Sequence, residues 1–501
     1  MGWARVTARF DIARRVLAAG LALALVLPSA ARGAAGGAEA ELGRKFLLEA
    51  RAQLPLVDDP AITEYVERIG RRIIKTIGPQ PYDYHFYVVQ HPALNAFAVP
   101  GGYVFVFAGL LVAIENDDEL AGVLGHETGH VTGHHLVRQQ TEGQVWSYAA
   151  LLGALLSAVN PVLGASAIAA AQTAQLKYSR EFEQEADYLG LRFTTEAGYD
   201  PHALGAFFKV LLAEQRVNPA GAPAYMLTHP LTENRISNVE TSITAQKLRT
   251  PAGRPAASPE LAEVQAVSRA MAEPTEAIIA RYKKLADEKP EDAERQFLLG
   301  RVYQTVGQLE AARTALERAR TLGGLGGRID RPLGAVYVAL KEPAKAREAL
   351  SRHLARTPAD GWAHLELGKA FVASGESDAA LTEFQRALGL DGDLDEAHRL
   401  AGISLGQRGD QAEGFYHLAV ASQLRGELEQ ALSQFERSDE LLADSSPRKP
   451  EVEQAIEELK PLVRERSRDR EHSGRRPHGL GPSQPLPNPD ELGYGQERRA
   501  R

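Results

Sequence analysis

Residues 125–135 read GHETGHVTGHH, which puts four histidines and a glutamate into three turns of a helix. Within that stretch His126-Glu127-x-x-His130 has a spacing with chemical meaning. Residues four apart lie one turn above each other on a helix, so both imidazoles can reach a single zinc ion. Glu127 flanks the pair and can take a proton from metal-activated water.

Such a site needs a third protein ligand. The metzincin pattern, His-Glu-x-x-His-x-x-Gly-x-x-His, holds as far as Gly133 but requires histidine where this chain has Leu136. His134 and His135 fall two residues and one residue too early, and read as helix-support or surface residues. The alternative is a carboxylate from a second helix, and YSREFEQEADYLG (178–190) supplies Glu183 and Asp187 four apart. One can ligate while the other supports it; an acidic helix is also what a solvated face looks like.

The elements around these residues are well marked. In ENDDELAGVLGHETGHVTGHHLVRQQ, Asn116 is an N-cap, Glu119 completes a capping-box pattern, and acids fill the first turn. One helix is expected from about Asp117 to about Arg138. Gly125, Gly129 and Gly133 recur every four residues, a stripe that lets another backbone approach. Upstream, Glu41 to Ile77 reads as amphipathic helices, the second opened by Asp59-Pro60. YDYHFYVVQ and YVFVFAGLL read as strands of a small sheet, joined through NAFAVPGG with a turn at Pro100-Gly101-Gly102.

Residues 143–176 carry no charge, yet Asn160-Pro161 divides them into two pieces, each short for a membrane span. Candidate ligands lie on both sides, so a single crossing would separate them by a bilayer. A buried or membrane-surface helical hairpin is expected. A basic, then apolar, then small-residue order at the N-terminus is the layout of a secretory signal peptide, placed at 1–33. The absence of cysteine excludes thiol catalysis, Cys-ligated zinc and disulfides, and a formal net charge of -8 offers no electrostatic footprint for nucleic acid.

After a Pro/Gly-rich linker the chain repeats itself. Gly300, Gly334, Gly368 and Gly402 are spaced by 34, accompanied by columns such as Leu316, Leu350, Phe384, Leu418 and Ala312, Ala346, Ala380. That period and those residue types are the tetratricopeptide signature, two packed helices per repeat. The resulting division is signal 1–33, peptidase-type domain 40–248, linker 249–274, repeats 275–443, and a short helix with a disordered tail over 444–501. The fold class is mainly α: an α+β domain with a small sheet, then an α-solenoid.

Taken in order, NAFAVPGGYVFVFAGLL, ELAGVLGHETGHVTGHH, SREFEQEAD, AGYDP and THPLTENRI resemble the HtpX-like and BepA-like zinc metallopeptidases, minigluzincins related to the CAAX prenyl proteases. With the repeats and the leader, the BepA-like group is the best match. The resemblance implies one Zn2+ per chain held by His126, His130 and Glu183, with Glu127 as general base. It implies Asp187 as the group that orients a ligand histidine, and His229 near the fourth metal position, able to restrain activity. Arg235 matches a family arginine, Asn95 to Ala98 a strand that binds substrate backbone, and His134 stands where the family usually has arginine. The implied function is a periplasmic endopeptidase that hydrolyses misfolded or misassembled outer-membrane proteins. Its repeats would recruit substrate or the assembly machinery; the alternative is a chaperone or scaffold with latent protease activity.

Overall fold

The computed structural model describes residues 29–139, 179–217, 223–231, 233–251 and 258–472. Most of the expected leader, the whole uncharged run 143–176 and the tail beyond residue 472 lie outside the described residues. Among the described residues no helix is long and apolar enough to cross a membrane.

The first domain begins with α1 (Ser29–Gln53) and α2 (Pro60–Ile74). Asp59 caps α2 by accepting from the Ala61 amide at 3.0 Å, with Pro60 in the first turn where no amide hydrogen is needed. Ile62, Tyr65, Val66, Ile69 and Ile73 follow helical periodicity and are buried as one face.

The sheet comprises β1 (His85–Val89), β2 (Ala96–Val99) and β3 (Tyr103–Phe107) in the order β1-β3-β2. β1 runs parallel to β3, with His85 opposite Tyr103; β2 is antiparallel, with Ala96 opposite Val106. The β2–β3 turn holds Gly101 and Gly102 both at φ 86°, a region closed to most side chains, as the Pro-Gly-Gly sequence predicts. β2 is therefore an edge strand, leading through β3 and α3 (Ala108–Ala113) into α4 (Asp117–Thr132).

Asn116 caps α4 by accepting from the Glu119 amide at 3.0 Å, and Glu119 Oε2 in turn accepts from the Glu115 amide at 2.9 Å. The helix does not continue to Arg138. It stops at Thr132, His134 takes a left-handed φ of 52°, and a separate α5 (His135–Gln139) follows. The domain continues with α6 (Arg180–Glu196), α7 (Ala203–Val217), α8 (Ala224–Thr228) and α9 (Glu233–Gln246).

Much of the stretch read as a linker is helix α10 (Pro259–Ala272). Its Leu261, Val264 and Val267 join the same apolar core as α2 and α4, and Gln265 donates to the Ile114 carbonyl at 2.8 Å. Sequence alone favoured a linker because the Pro/Gly-rich stretch masks the helix that follows it.

The repeats pair as α11 (Thr275–Glu288) with α12 (Ala293–Thr305) and α13 (Leu309–Leu322), then α14 (Asp330–Ala339) with α15 (Pro343–Leu354). They continue through α16 (Gly361–Ala373), α17 (Ser377–Leu390), α18 (Asp395–Gln407), α19 (Gln411–Leu424) and α20 (Leu428–Leu441). The 34-residue glycine column has a direct packing cause. A Cβ on Gly300 or Gly334 would sit 2.6 Å from Leu316 or Leu350 Cγ, and Gly368 and Gly402 face Phe384 and Leu418 in the same way. Each glycine removes bulk where a large side chain of its partner helix inserts.

The final helix, α21 (Lys449–His472), is longer than the short helix expected, and packs on α20. Leu48 of α1 joins Tyr416, Phe435, Val452 and Ile456 in one apolar cluster. Charged contacts also tie the repeats to the first domain: Arg301 reaches Asp59 and Glu263, each at 2.8 Å, and Arg331 reaches Glu64 at 2.6 Å.

Candidate metal centre

Close approach of α4 to α6 builds the site. A Cβ on Gly129 would lie 2.7 Å from the Ala186 carbonyl oxygen, and one on Gly190 would lie 2.8 Å from both Gly125 C and His126 N. Gly125 and Gly129 therefore form the packing stripe expected from sequence. Gly133 does not belong to it; a Cβ there would collide with His135.

With the helices in contact, His126, His130, Glu183 and His229 are all buried, and each offers a donor atom within 4.8 Å of the others. His126 Nε2 lies 3.0 Å from His130 Nε2 and 3.3 Å from His229 Nδ1; Glu183 Oε1 lies 3.0 Å from His229 Nδ1 and 3.4 Å from His130 Nε2. Glu127 is also buried, with Oε1 3.6 Å from His229 Nε2. Of the residues singled out in sequence, Asp187 lies against the far side of His126, Oδ1 to Nδ1 at 2.8 Å. Arg235 grips Asp187 through Nε and Nη2, both at 2.8 Å, and also pairs with Glu183.

His229 reaches the cluster because α8 ends there. Its amide donates to the Tyr225 carbonyl at 2.9 Å, and the Tyr225 ring stacks on it at 4.5 Å. The Tyr225 amide donates to the Leu94 carbonyl at 3.1 Å, which fastens α8 beside the entrance to β2.

The electrostatics follow from burial and close charges. Burial pushes the Glu127 carboxyl above its usual range against the pull of His229 and His126, and burial holds His130 well below the usual histidine value. For Glu183 burial acts upward, but His229, Arg235 and the nearby His130 outweigh it and leave the group well below the carboxylate range. Asp187 falls to about 2 because Arg235 and His126 outweigh its burial. Burial acts to lower His229, yet Glu127 and Glu183 carry it above its ordinary value.

These donors fit a divalent cation. Asp187 Oδ1 is placed to accept a hydrogen bond from His126 Nδ1–H, the tautomer that leaves the Nε2 lone pair facing the centre. That Nε2 faces the Nε2 of His130, a ring that burial keeps neutral, 3.0 Å away, with the Glu183 carboxylate beside them. Lone pairs gathered so closely repel unless positive charge lies among them, and two imidazoles with a carboxylate form a zinc-type donor set.

Two residues here were not singled out in sequence. His135, read as helix-support or surface, is fully buried, with Nδ1 3.0 Å from His130 Nδ1. Periodicity carried no signal for it, because Gly133 keeps a right-handed φ of -77° and the left-handed turn falls on His134. Tyr225, four residues before His229, carried no signal either. His134 is half-exposed and pairs with Glu39 at 2.9 Å.

Residues 60–243 match the sequence profile of Peptidase family M48, and residues 293–321 match a tetratricopeptide repeat. The beta-barrel assembly-enhancing protease of Escherichia coli K12 is 31% identical over 210 residues, covering 40% of this chain and 43% of that one. A putative protease of the same name from Vibrio cholerae is 35% identical over 204 residues, covering 39% and 42%. The mitochondrial metalloendopeptidase OMA1 of Schizosaccharomyces pombe is 33% identical over 178 residues, 36% of this chain and 52% of that one. The chain thus spans less than half the length of the beta-barrel assembly-enhancing proteases it matches. It carries a metallopeptidase domain of Peptidase family M48, a family that implies a divalent metal, followed by a tetratricopeptide repeat.

Proposed function

We propose that the chain is a periplasmic zinc-dependent endopeptidase acting on misfolded or misassembled outer-membrane proteins, with its repeats recruiting substrate or assembly machinery. The observation that carries the catalytic part is the buried convergence of His126, His130 and Glu183 beside Glu127. The compartment rests on the leader layout of residues 1–33, and the substrate class on the names of the relatives.

His126, His130 and Glu183 would hold a zinc ion, whose Lewis acidity would serve to activate water and polarise a scissile carbonyl. The chain's residues do the rest. Glu127, raised by burial toward neutral pH, takes the water proton and delivers it to the leaving amine. Asp187 holds the His126 ring, and Arg235 fixes both Asp187 and Glu183. Substrate backbone would add to the edge strand β2, whose Ala98 and Val99 lie near His130.

One observation favours the second reading, a chaperone or scaffold with latent activity. His229 lies among the metal donors, within reach of a fourth coordination position. Were His229 to bind the metal as well, it would compete with water or a substrate carbonyl.

The test is zinc content and casein cleavage for the wild type, Glu127→Gln, Glu183→Ala and His229→Ala, before and after chelation. The expected pattern is zinc loss in Glu183→Ala, zinc without cleavage in Glu127→Gln, and faster cleavage in His229→Ala. Chelation should abolish all cleavage. Absence of cleavage in every form would remove the enzyme reading, and full cleavage by Glu127→Gln would remove Glu127 as the base.

A further inference from the structure

We propose that His135 is a positioning residue of the metal centre: it accepts the Nδ1 proton of His130 and locks that ring to the helix carrying Glu183. The inference rests on the metallopeptidase reading above.

The backbone is the first observation. On a continuous helix position 135 would stand roughly 140° around the axis from His130 and the two rings could not meet. The break after Thr132 changes this. His134 adopts φ 52°, a left-handed conformation disfavoured for a non-glycine residue, and a separate helix α5 starts at His135. That strain is accompanied by a fully buried imidazole at 135 whose Nδ1 lies 3.0 Å from His130 Nδ1.

The pocket holding that imidazole is built from several sides. The Phe182 ring stacks on it with centroids 4.6 Å apart and planes 13° from parallel. Its Nε2 faces Glu185 Oε2 at 3.3 Å. Arg138 pairs with Glu185 at 2.9 Å, donates to the Gly133 carbonyl at 3.0 Å, and lays its guanidinium over the Phe182 face at 4.7 Å. Gly133 is required because a Cβ would strike His135 Nε2.

Once His130 Nε2 serves as a metal donor, one proton arrangement follows. With Nε2 of His130 turned toward the other donors, its proton sits on Nδ1 and needs an acceptor. His126 has a carboxylate for this task in Asp187; His130 has the Nδ1 lone pair of His135, whose own proton then sits on Nε2, on the side of the ring near Glu185. Phe182 and Glu185 flank Glu183 in sequence, so the same imidazole fixes one ligand ring and the helix that bears another.

Two substitutions in the full-length protein separate this role from plain packing. His135→Phe keeps a ring against Phe182 but has no acceptor, whereas the amide oxygen of His135→Asn falls near the place of Nδ1. Zinc affinity is measured by chelator competition, alongside the thermal midpoint of the metal-free protein. The expected result is about 10- to 100-fold weaker zinc binding for His135→Phe with a nearly unchanged metal-free midpoint, and recovery of most of that affinity in His135→Asn. Wild-type affinity in His135→Phe overturns the proposal, as does an equal loss in both variants that follows their metal-free stability. Glu183→Ala is the reference: if it binds zinc as tightly as the wild type, the metal-centre reading fails, and this proposal fails with it.

Discussion

Replacing Gly129 with alanine should disable the metal centre while leaving the fold nearly as stable as before. A Cβ at this position would stand 2.7 Å from the Ala186 carbonyl oxygen and 3.0 Å from Ala186 Cα. Both atoms are backbone, so neither can rotate away; α6 must retreat by roughly 0.7 Å to restore an ordinary contact. The overpacking costs about 1–3 kcal/mol, and alanine's higher helix propensity returns about 1 kcal/mol, so the net loss of stability is roughly 0–2 kcal/mol. The functional loss is larger because Ala186 lies between Glu183 and Asp187, and both carboxylates shift with it. A displacement approaching 1 Å in a catalytic array lowers kcat/KM by about 10- to 100-fold, and zinc affinity should weaken with it. Gly122→Ala supplies the control. Its Cβ would meet Leu204 on α7 at 3.1 Å, away from α6, and zinc binding should stay near the wild-type value. Zinc affinity by chelator competition, peptide cleavage and urea unfolding are the measurements. A Gly129→Ala protein with wild-type zinc affinity and turnover, or a Gly122→Ala protein equally impaired, would show that the α4–α6 approach does not set the site geometry.

Two further predictions concern the repeats. Arg301→Ala leaves the carboxylates of Asp59 and Glu263 without their buried guanidinium partner, and should lower unfolding stability by about 3 kcal/mol. Its readouts are the urea midpoint and faster proteolysis across residues 249–258; unchanged values would mean this clasp does not join the two domains. Asp360 accepts from His353 at 2.7 Å, from Arg331 at 2.8 Å and from the Ala363 amide at 2.9 Å, and these contacts outweigh burial to bring its carboxyl from 3.8 to about 2. Because the folded value is the lower one, the stabilisation, about 2 kcal/mol, is complete above the unfolded value and is lost as pH falls through the folded value. The stability gap between wild type and Asp360→Asn should therefore narrow by about that amount between roughly pH 5 and pH 2; a gap independent of pH would contradict the assignment.

What could be read without coordinates was whatever a single helix or a single repeat encodes. His126, Glu127 and His130 share one turn-to-turn spacing, Asn116 marks the start of their helix, and the column from Gly300 to Gly402 repeats with its partner leucines and phenylalanine. Helix α10 was hidden because a Pro/Gly-rich stretch precedes it, although its apolar residues are regular once the start is known.

Other contacts depend on where the chain travels between distant segments, and local pattern does not contain that information. Spacing placed Glu183 and Asp187 on one helix, but only the packing of Gly125 and Gly129 against Gly190 and Ala186 turns that helix toward the histidines. The most consequential difference is also the most local. Sequence extended α4 through His135 and left that residue as support or surface, whereas one left-handed residue, His134, folds it back against His130. Residue types and helical periodicity thus determined which groups can do chemistry, and tertiary packing decided which of them meet. A three-dimensional contact depends on backbone dihedrals and helix approach distances that many sequences satisfy and no short motif specifies.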